Sequence, residues 1–144
     1  MFVVCTIMSY LNPKRYNDTK QSSEVKMSRI NPVALDSDMT LEEVKKIINE
    51  ETGVLLYFSG QHCNVCHALR PKFKETFDEH FPLIRQLYLD VESHPDIAAH
   101  FNVFSIPTMI VFLQGKEFAR EGRAVSMLQL RENLLRPYSI MTEG

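Results

Sequence analysis

The stretch Val54-Leu55-Leu56-Tyr57-Phe58 limits what this chain can fold into more than any other. Five consecutive apolar residues leave no polar face, and their length and aromatic content suit a strand buried on both sides, as in a central or parallel sheet. The run leads into Ser59-Gly60-Gln61-His62-Cys63-Asn64-Val65-Cys66-His67. Beyond it Leu69, Phe73 and Phe77 recur every four residues, which predicts one face of a helix, kinked at Pro71. A cysteine pair therefore sits where a buried strand gives way to the start of a helix.

The flanking sequence extends this pattern. Thr40-Leu41-Glu42-Glu43 is a capping box, followed by Leu41, Val44, Ile47 and Ile48 at helical spacing and stopped by Thr52-Gly53. Leu83 to Val91 reads as a strand, and Pro95 to Phe101 as a short helix with proline in its first turn. Met109 to Leu113 is a further strand, turning at Gln114-Gly115-Lys116 into Glu117 to Glu121. Ser126 and Gln129 have capping-box spacing and open a helix carrying Leu128, Leu134 and Leu135, which Pro137 is expected to end. Strands alternating with helices before a final hairpin predict an α/β sheet with one antiparallel edge.

Composition narrows the function classes. The 144 residues are one domain's worth, with 44% apolar content, enough for a core. Sixteen basic against eighteen acidic residues, a net charge of −2, leave no electrostatic footprint for nucleic acid or an anionic membrane. No apolar run is long enough to span a bilayer. Met1 to Leu11 is apolar, but no basic residue precedes it and no small-x-small cleavage site follows. Asn12 to Lys26 is polar and without a period, and the first 26 residues carry a net charge of +2 against −4 for the rest. Residues 1–35 are therefore expected to be an N-terminal extension, disordered or, over 1–26, a mis-called start before Met27, with the folded domain over 36–144. The weak signal character points to a cytoplasmic protein, with an exported form left open. Three cysteines are too few for a disulfide-built scaffold, and Cys5 stands apart from the pair.

The pair at 63 and 66 is either structurally incidental or serves one of three chemistries. At a helix N-terminus, exposed N–H donors and about half a positive charge favour a thiolate on the first cysteine. Two intervening residues let the second sulfur attack a mixed disulfide on the first. A redox dithiol thus accounts for both the spacing and the location. His62 and His67 flank the pair and, protonated, would favour the thiolate further; neutral, His62 could shuttle a proton. Cys63-Asn64-Val65-Cys66-His67 also spells the c-type haem attachment pattern. Zinc is a third option, although no second C-x-x-C or spaced histidine pair accompanies the first.

With these residues in view the chain resembles the thioredoxin superfamily, from about Thr40 to Tyr138. Val54 to Cys66 looks like the family's strand leading into its active-site cysteines. Pro71, five residues after Cys66, matches the family's helix-kinking proline. Ser105-Ile106-Pro107-Thr108 looks like its cis-proline loop, Gly115 falls where its final hairpin has a glycine, and Gly122 lies near the glycine of the loop that follows. The resemblance implies a thioredoxin-like α/β fold, a mixed central sheet flanked by helices. It implies that Cys63 is the exposed nucleophile and Cys66 the buried resolving thiol. Pro107 would be cis and, with Ile106 and His62, would line the substrate site, the Ile106 backbone pairing with an extended segment. Two departures stand out. Thioredoxins proper carry Trp-Cys-Gly-Pro-Cys where this chain has His62-Cys63-Asn64-Val65-Cys66 and no tryptophan. They also carry a buried acid six residues before the first cysteine, where this chain has Tyr57; Asp90 and Glu92 are candidates to replace it.

The expected function is protein thiol–disulfide oxidoreductase. Its partners would be protein disulfides and an electron-donating reductase, with no nucleic acid, no membrane, no bound metal and no cofactor, in a monomer. The rival reading is a peptide-binding or chaperone-like module on the same fold with little redox turnover.

Overall fold

Thr40 fixes where the first described helix begins. Its hydroxyl oxygen accepts from the Glu43 N–H at 3.2 Å, and the Glu43 carboxylate accepts from the Thr40 N–H at 3.2 Å, the reciprocal arrangement of a capping box. The computed structural model describes residues 38–143, so the extension expected over 1–35, with Cys5 and Met27, lies outside the described residues. Along these the order is α1 (Leu41–Glu50), β1 (Gly53–Ser59), α2 (Asn64–His80), β2 (Ile84–Asp90), α3 (Pro95–His100), β3 (Thr108–Leu113), β4 (Lys116–Glu121) and α4 (Met127–Glu143).

The strands form a four-stranded sheet in the order β2-β1-β3-β4. β1 is parallel to β2 and antiparallel to β3, and β3 is antiparallel to β4, so the sheet is mixed. The expected antiparallel edge is β4, but the central pair β1–β3 is antiparallel as well. The β3–β4 turn places Gln114 at φ 51° and Gly115 at φ 83°, positive at both central residues as a tight two-residue hairpin turn of type I′ requires.

Side-chain alternation on β1 explains why a continuous apolar run is needed there. Val54, Leu56 and Phe58 point to one face, against Val44 and Ile48 of α1 and Ile97 and Ala98 of α3. Leu55 and Tyr57 point to the other, against Phe73 and Phe77 of α2 and Leu130 and Leu134 of α4. Every residue from Val54 to Phe58 is fully buried.

Pro137 does not end α4; the helix continues through it to Glu143. Tertiary contacts outweigh the lost backbone bond. The Tyr138 ring packs edge-on against Phe81, with centroids 5.1 Å apart, and its hydroxyl accepts from the Leu83 N–H at 2.9 Å. The apolar face of α4 also differs from the expected one. Leu130 and Leu134 are buried, while Leu128 and Leu135 are exposed.

Candidate active site

The cysteine pair lies at the carboxyl end of β1, the central parallel strand. Cys63 is the N-cap of α2, and its sulfur accepts the Cys66 N–H at 3.1 Å. One of the free N–H donors of the helix's first turn is thus directed at the sulfur, an arrangement that favours negative charge there. Cys63 is half-buried and Cys66 is buried at 1% exposure. The two sulfurs are at disulfide distance, with the Cα atoms 5.2 Å apart, inside the usual range for a bridge. One thiol can meet an incoming disulfide from solvent, and the other can reach only the first.

α2 runs through Pro71, whose missing N–H leaves the His67 carbonyl without its helical donor. The His67 ring turns back to the preceding loop, Nε2 donating to the Gln61 carbonyl at 3.1 Å. His62 is exposed on the turn before Cys63.

The loop from Ser105 to Pro107 meets this turn from the neighbouring strand. Phe58 of β1 pairs with Thr108 of β3, which sets the start of β3 beside the end of β1. The Thr108 hydroxyl donates to the Ser105 carbonyl at 2.7 Å and braces the loop. The Ile106–Pro107 peptide is cis, and Pro107 is buried. Gly60 is where the two loops touch: a Cβ there would lie 2.7 Å from Ile106 Cδ1, closer than a methyl group tolerates. Of the residues singled out in the sequence, Cys63 and Cys66 are brought together at the start of α2, and Ile106 against the loop that leads to them. Asp90 serves the turn after β2 instead, its carboxylate accepting the Glu92 N–H at 2.7 Å, and Glu92 itself is exposed.

Tyr57 makes a contact that sequence reasoning missed. Its hydroxyl donates to the Cys66 carbonyl at 2.6 Å, from a side chain with no exposed surface. Burial pushes its phenol up to about 12, opposed by the positive charge of Arg70. That guanidinium sits 4.4 Å from the centroid of the Tyr88 ring, which in turn lies 5.4 Å from the Tyr57 ring. In the sequence Tyr57 is one more member of an apolar run, and only its place six residues before Cys63 sets it apart. Among the described residues no group of three His, Cys, Asp or Glu side chains is arranged to hold a metal ion, and no helix is long and apolar enough to cross a membrane.

Comparison with known proteins agrees with this geometry. The family model described as Thioredoxin matches residues 34–135. A thioredoxin-like protein of Bacillus subtilis, YdfQ, is 32% identical over 101 residues, covering 70% of this chain and 89% of that protein. The thioredoxin of Buchnera aphidicola from Acyrthosiphon pisum is 32% identical over 98 residues, covering 68% and 89%. Among solved structures, Fasciola hepatica thioredoxin superposes with a TM-score of 0.59 at 28% identity, covering 67% of this chain and 93% of that one. A mixed sheet flanked by helices, a cysteine pair capping the helix that follows its central strand, and a family match across that whole region together make this chain a member of the thioredoxin family.

Proposed function

We propose that the protein is a thiol–disulfide oxidoreductase acting on protein disulfides, with Cys63 as nucleophile and Cys66 as resolving thiol. The observation that carries this is the asymmetry of the pair: a half-buried Cys63 capping the helix N-terminus, and a fully buried Cys66 behind it. The Cys63 thiolate attacks one sulfur of a substrate disulfide, forming a mixed disulfide and expelling the other as a thiolate. The Cys66 thiolate then attacks Cys63 Sγ and expels the second substrate thiolate. Two electrons pass to the substrate, and the pair is left oxidised. A reductase restores it, and no bound cofactor enters the cycle. Ile106, Pro107 and His62 are proposed to line the substrate site.

A redox titration read by alkylation and intact mass tests this. The expected result is one reversible two-electron couple carried by Cys63 and Cys66. A midpoint near roughly −270 mV marks a reductant, and one near roughly −120 mV an oxidant or isomerase. Cys66→Ser is expected to accumulate mixed disulfides with protein substrates, and Cys63→Ser to form none. Absence of a reversible couple, or a mass raised by covalent haem, overturns the proposal.

Tyr57 supports a second reading. A phenol held near 12 stays protonated at neutral pH and cannot accept the Cys66 proton. A slow resolving step would make the protein a peptide-binding module on the same fold. Peptide affinity that survives Cys63→Ser with Cys66→Ser, combined with slow turnover of the unmodified protein, is the result that favours it.

A further inference from the structure

Phe104 is 87% exposed, more than any other large apolar side chain among the described residues. Together with Val91, Val103, Ser105 and Ile106 it lines an open cleft of about 180 Å³. The cleft borders the loop that leads to the cysteines, on the segment after β2 and the loop before β3. The Val91 N–H donates to the Ser59 carbonyl at 2.9 Å, tying one wall to the end of β1. Ile106, another lining residue, rests on Gly60. The Val103 N–H donates to the Ala98 carbonyl at 2.8 Å and holds this lining residue against α3.

Two features identify the occupant. The volume falls well short of the roughly 300–1,000 Å³ of small-molecule sites, so the cleft suits a single side chain rather than a whole ligand. Beside it, the Ile106 N–H and C=O make no hydrogen bond among the described residues. A free donor and acceptor next to a one-side-chain apolar cleft complement an extended polypeptide, whose backbone bonds to Ile106 while a neighbouring side chain enters the cleft.

We propose that Phe104 is a specificity-determining residue. Its cleft selects disulfides in extended segments that carry a bulky aliphatic or aromatic side chain within two residues of the reacting cysteine. This rests on the oxidoreductase reading of Cys63 and Cys66.

The test uses disulfide-linked dimers of short synthetic peptides with one cysteine each, flanked by serines. Leu or Phe replaces Ser at one or two positions from the cysteine. Rates of peptide release by the reduced protein are measured by chromatography. The expected result is that the best Leu or Phe peptide reacts about tenfold faster than its all-Ser counterpart, the lower end for an added apolar contact in a pocket. Phe104→Ser is expected to shrink that preference below about twofold. Phe118→Ser, which alters an exposed phenylalanine on β4, is expected to retain it. Equal rates in the unmodified protein, or a preference that survives Phe104→Ser, overturn the proposal.

A second measurement separates this proposal from the one it rests on. Fluorescein-labelled versions of the peptides, with Ser in place of Cys, are titrated against the oxidised protein and followed by anisotropy. The same ranking, lost in Phe104→Ser, is expected whether or not the thiols turn over. If no peptide is reduced but the ranking persists, the oxidoreductase reading fails and the cleft stands. If no peptide binds and Phe104→Ser instead abolishes self-association in sedimentation, the cleft belongs to a second copy of the chain and the proposal is overturned.

Discussion

Tyr57 shows how one side chain serves two levels of the structure. Its ring completes the core, edge-on to Phe73 at 5.5 Å, while its hydroxyl holds the Cys66 carbonyl in the first turn of α2. Tyr57→Phe keeps the ring and removes the bond. The expected cost at neutral pH is about 1 kcal/mol, read from the denaturant midpoint. At high pH the sign reverses. The folded phenol ionises near 12 and the unfolded one near 10, so its contribution is fully present below pH 10 and is lost as pH rises towards 12. A separation of that size corresponds to about 3 kcal/mol. The stability of Tyr57→Phe is therefore expected to fall less steeply over that window than that of the unmodified protein, and parallel curves sink the assignment. Gly60 acts through space rather than through a bond. In Gly60→Ala the new methyl displaces the Ile106 side chain from the cleft wall, because the backbone on which it stands carries the cysteine loop. Peptide disulfide reduction is expected to slow about tenfold, the scale on which a small misplacement near a reacting centre is felt. An unchanged rate would mean that Ile106 does not touch substrate.

At the scale of elements, legibility follows the strength of periodicity. β1 and α2 are readable because an unbroken apolar run and a four-residue spacing each admit few structures. α4 is readable as a helix but not in its facing, since leucines at 128, 130, 134 and 135 fit more than one stripe. The structure chooses Leu130, Leu134 and Tyr138, at four-residue spacing, because these meet the face of the sheet that Phe73, Phe77 and Phe81 already cover. Packing on Phe81 likewise carries the helix past Pro137, which no local rule foretells. Leu134→Ala is accordingly expected to cost about 2–5 kcal/mol and Leu135→Ala to stay within about 0.5 kcal/mol, both by chemical denaturation. Comparable losses at the two positions would contradict this facing of α4. The site divides along the same line. Cys63, Cys66, Ile106 and Pro107 can be singled out from spacing and resemblance. The Tyr57 bond, the Gly60 contact and the exposure of Phe104 depend on which segments become neighbours across the sheet, and single-chain patterns do not carry that information.

At the scale of the molecule, the cysteine pair couples redox state to folding, and two effects oppose each other. Closing the four-residue loop from Cys63 to Cys66 restricts the unfolded chain and favours the oxidised form by about 2 kcal/mol in the chain-entropy model. Reduction places a thiolate on Cys63 at the N-terminus of α2, where the helix dipole and the Cys66 N–H favour it by about 0.3–1 kcal/mol for a partly exposed group. Loop closure outweighs the helix dipole, so the oxidised protein is expected to be the more stable by about 1–2 kcal/mol. Paired denaturation curves of the oxidised and reduced forms at neutral pH measure this difference. By the thermodynamic cycle the same difference states how much harder the disulfide is to reduce in the folded protein than in the unfolded chain, at about 30 mV for each 1.4 kcal/mol. The two measurements check each other, since a midpoint potential taken in denaturant must shift by the same free energy. A reduced form more stable than the oxidised one would mean that the helix dipole outweighs loop closure. The helix N-terminus would then hold the Cys63 thiolate more strongly than a partly exposed site allows, and the protein would be poised as an oxidant.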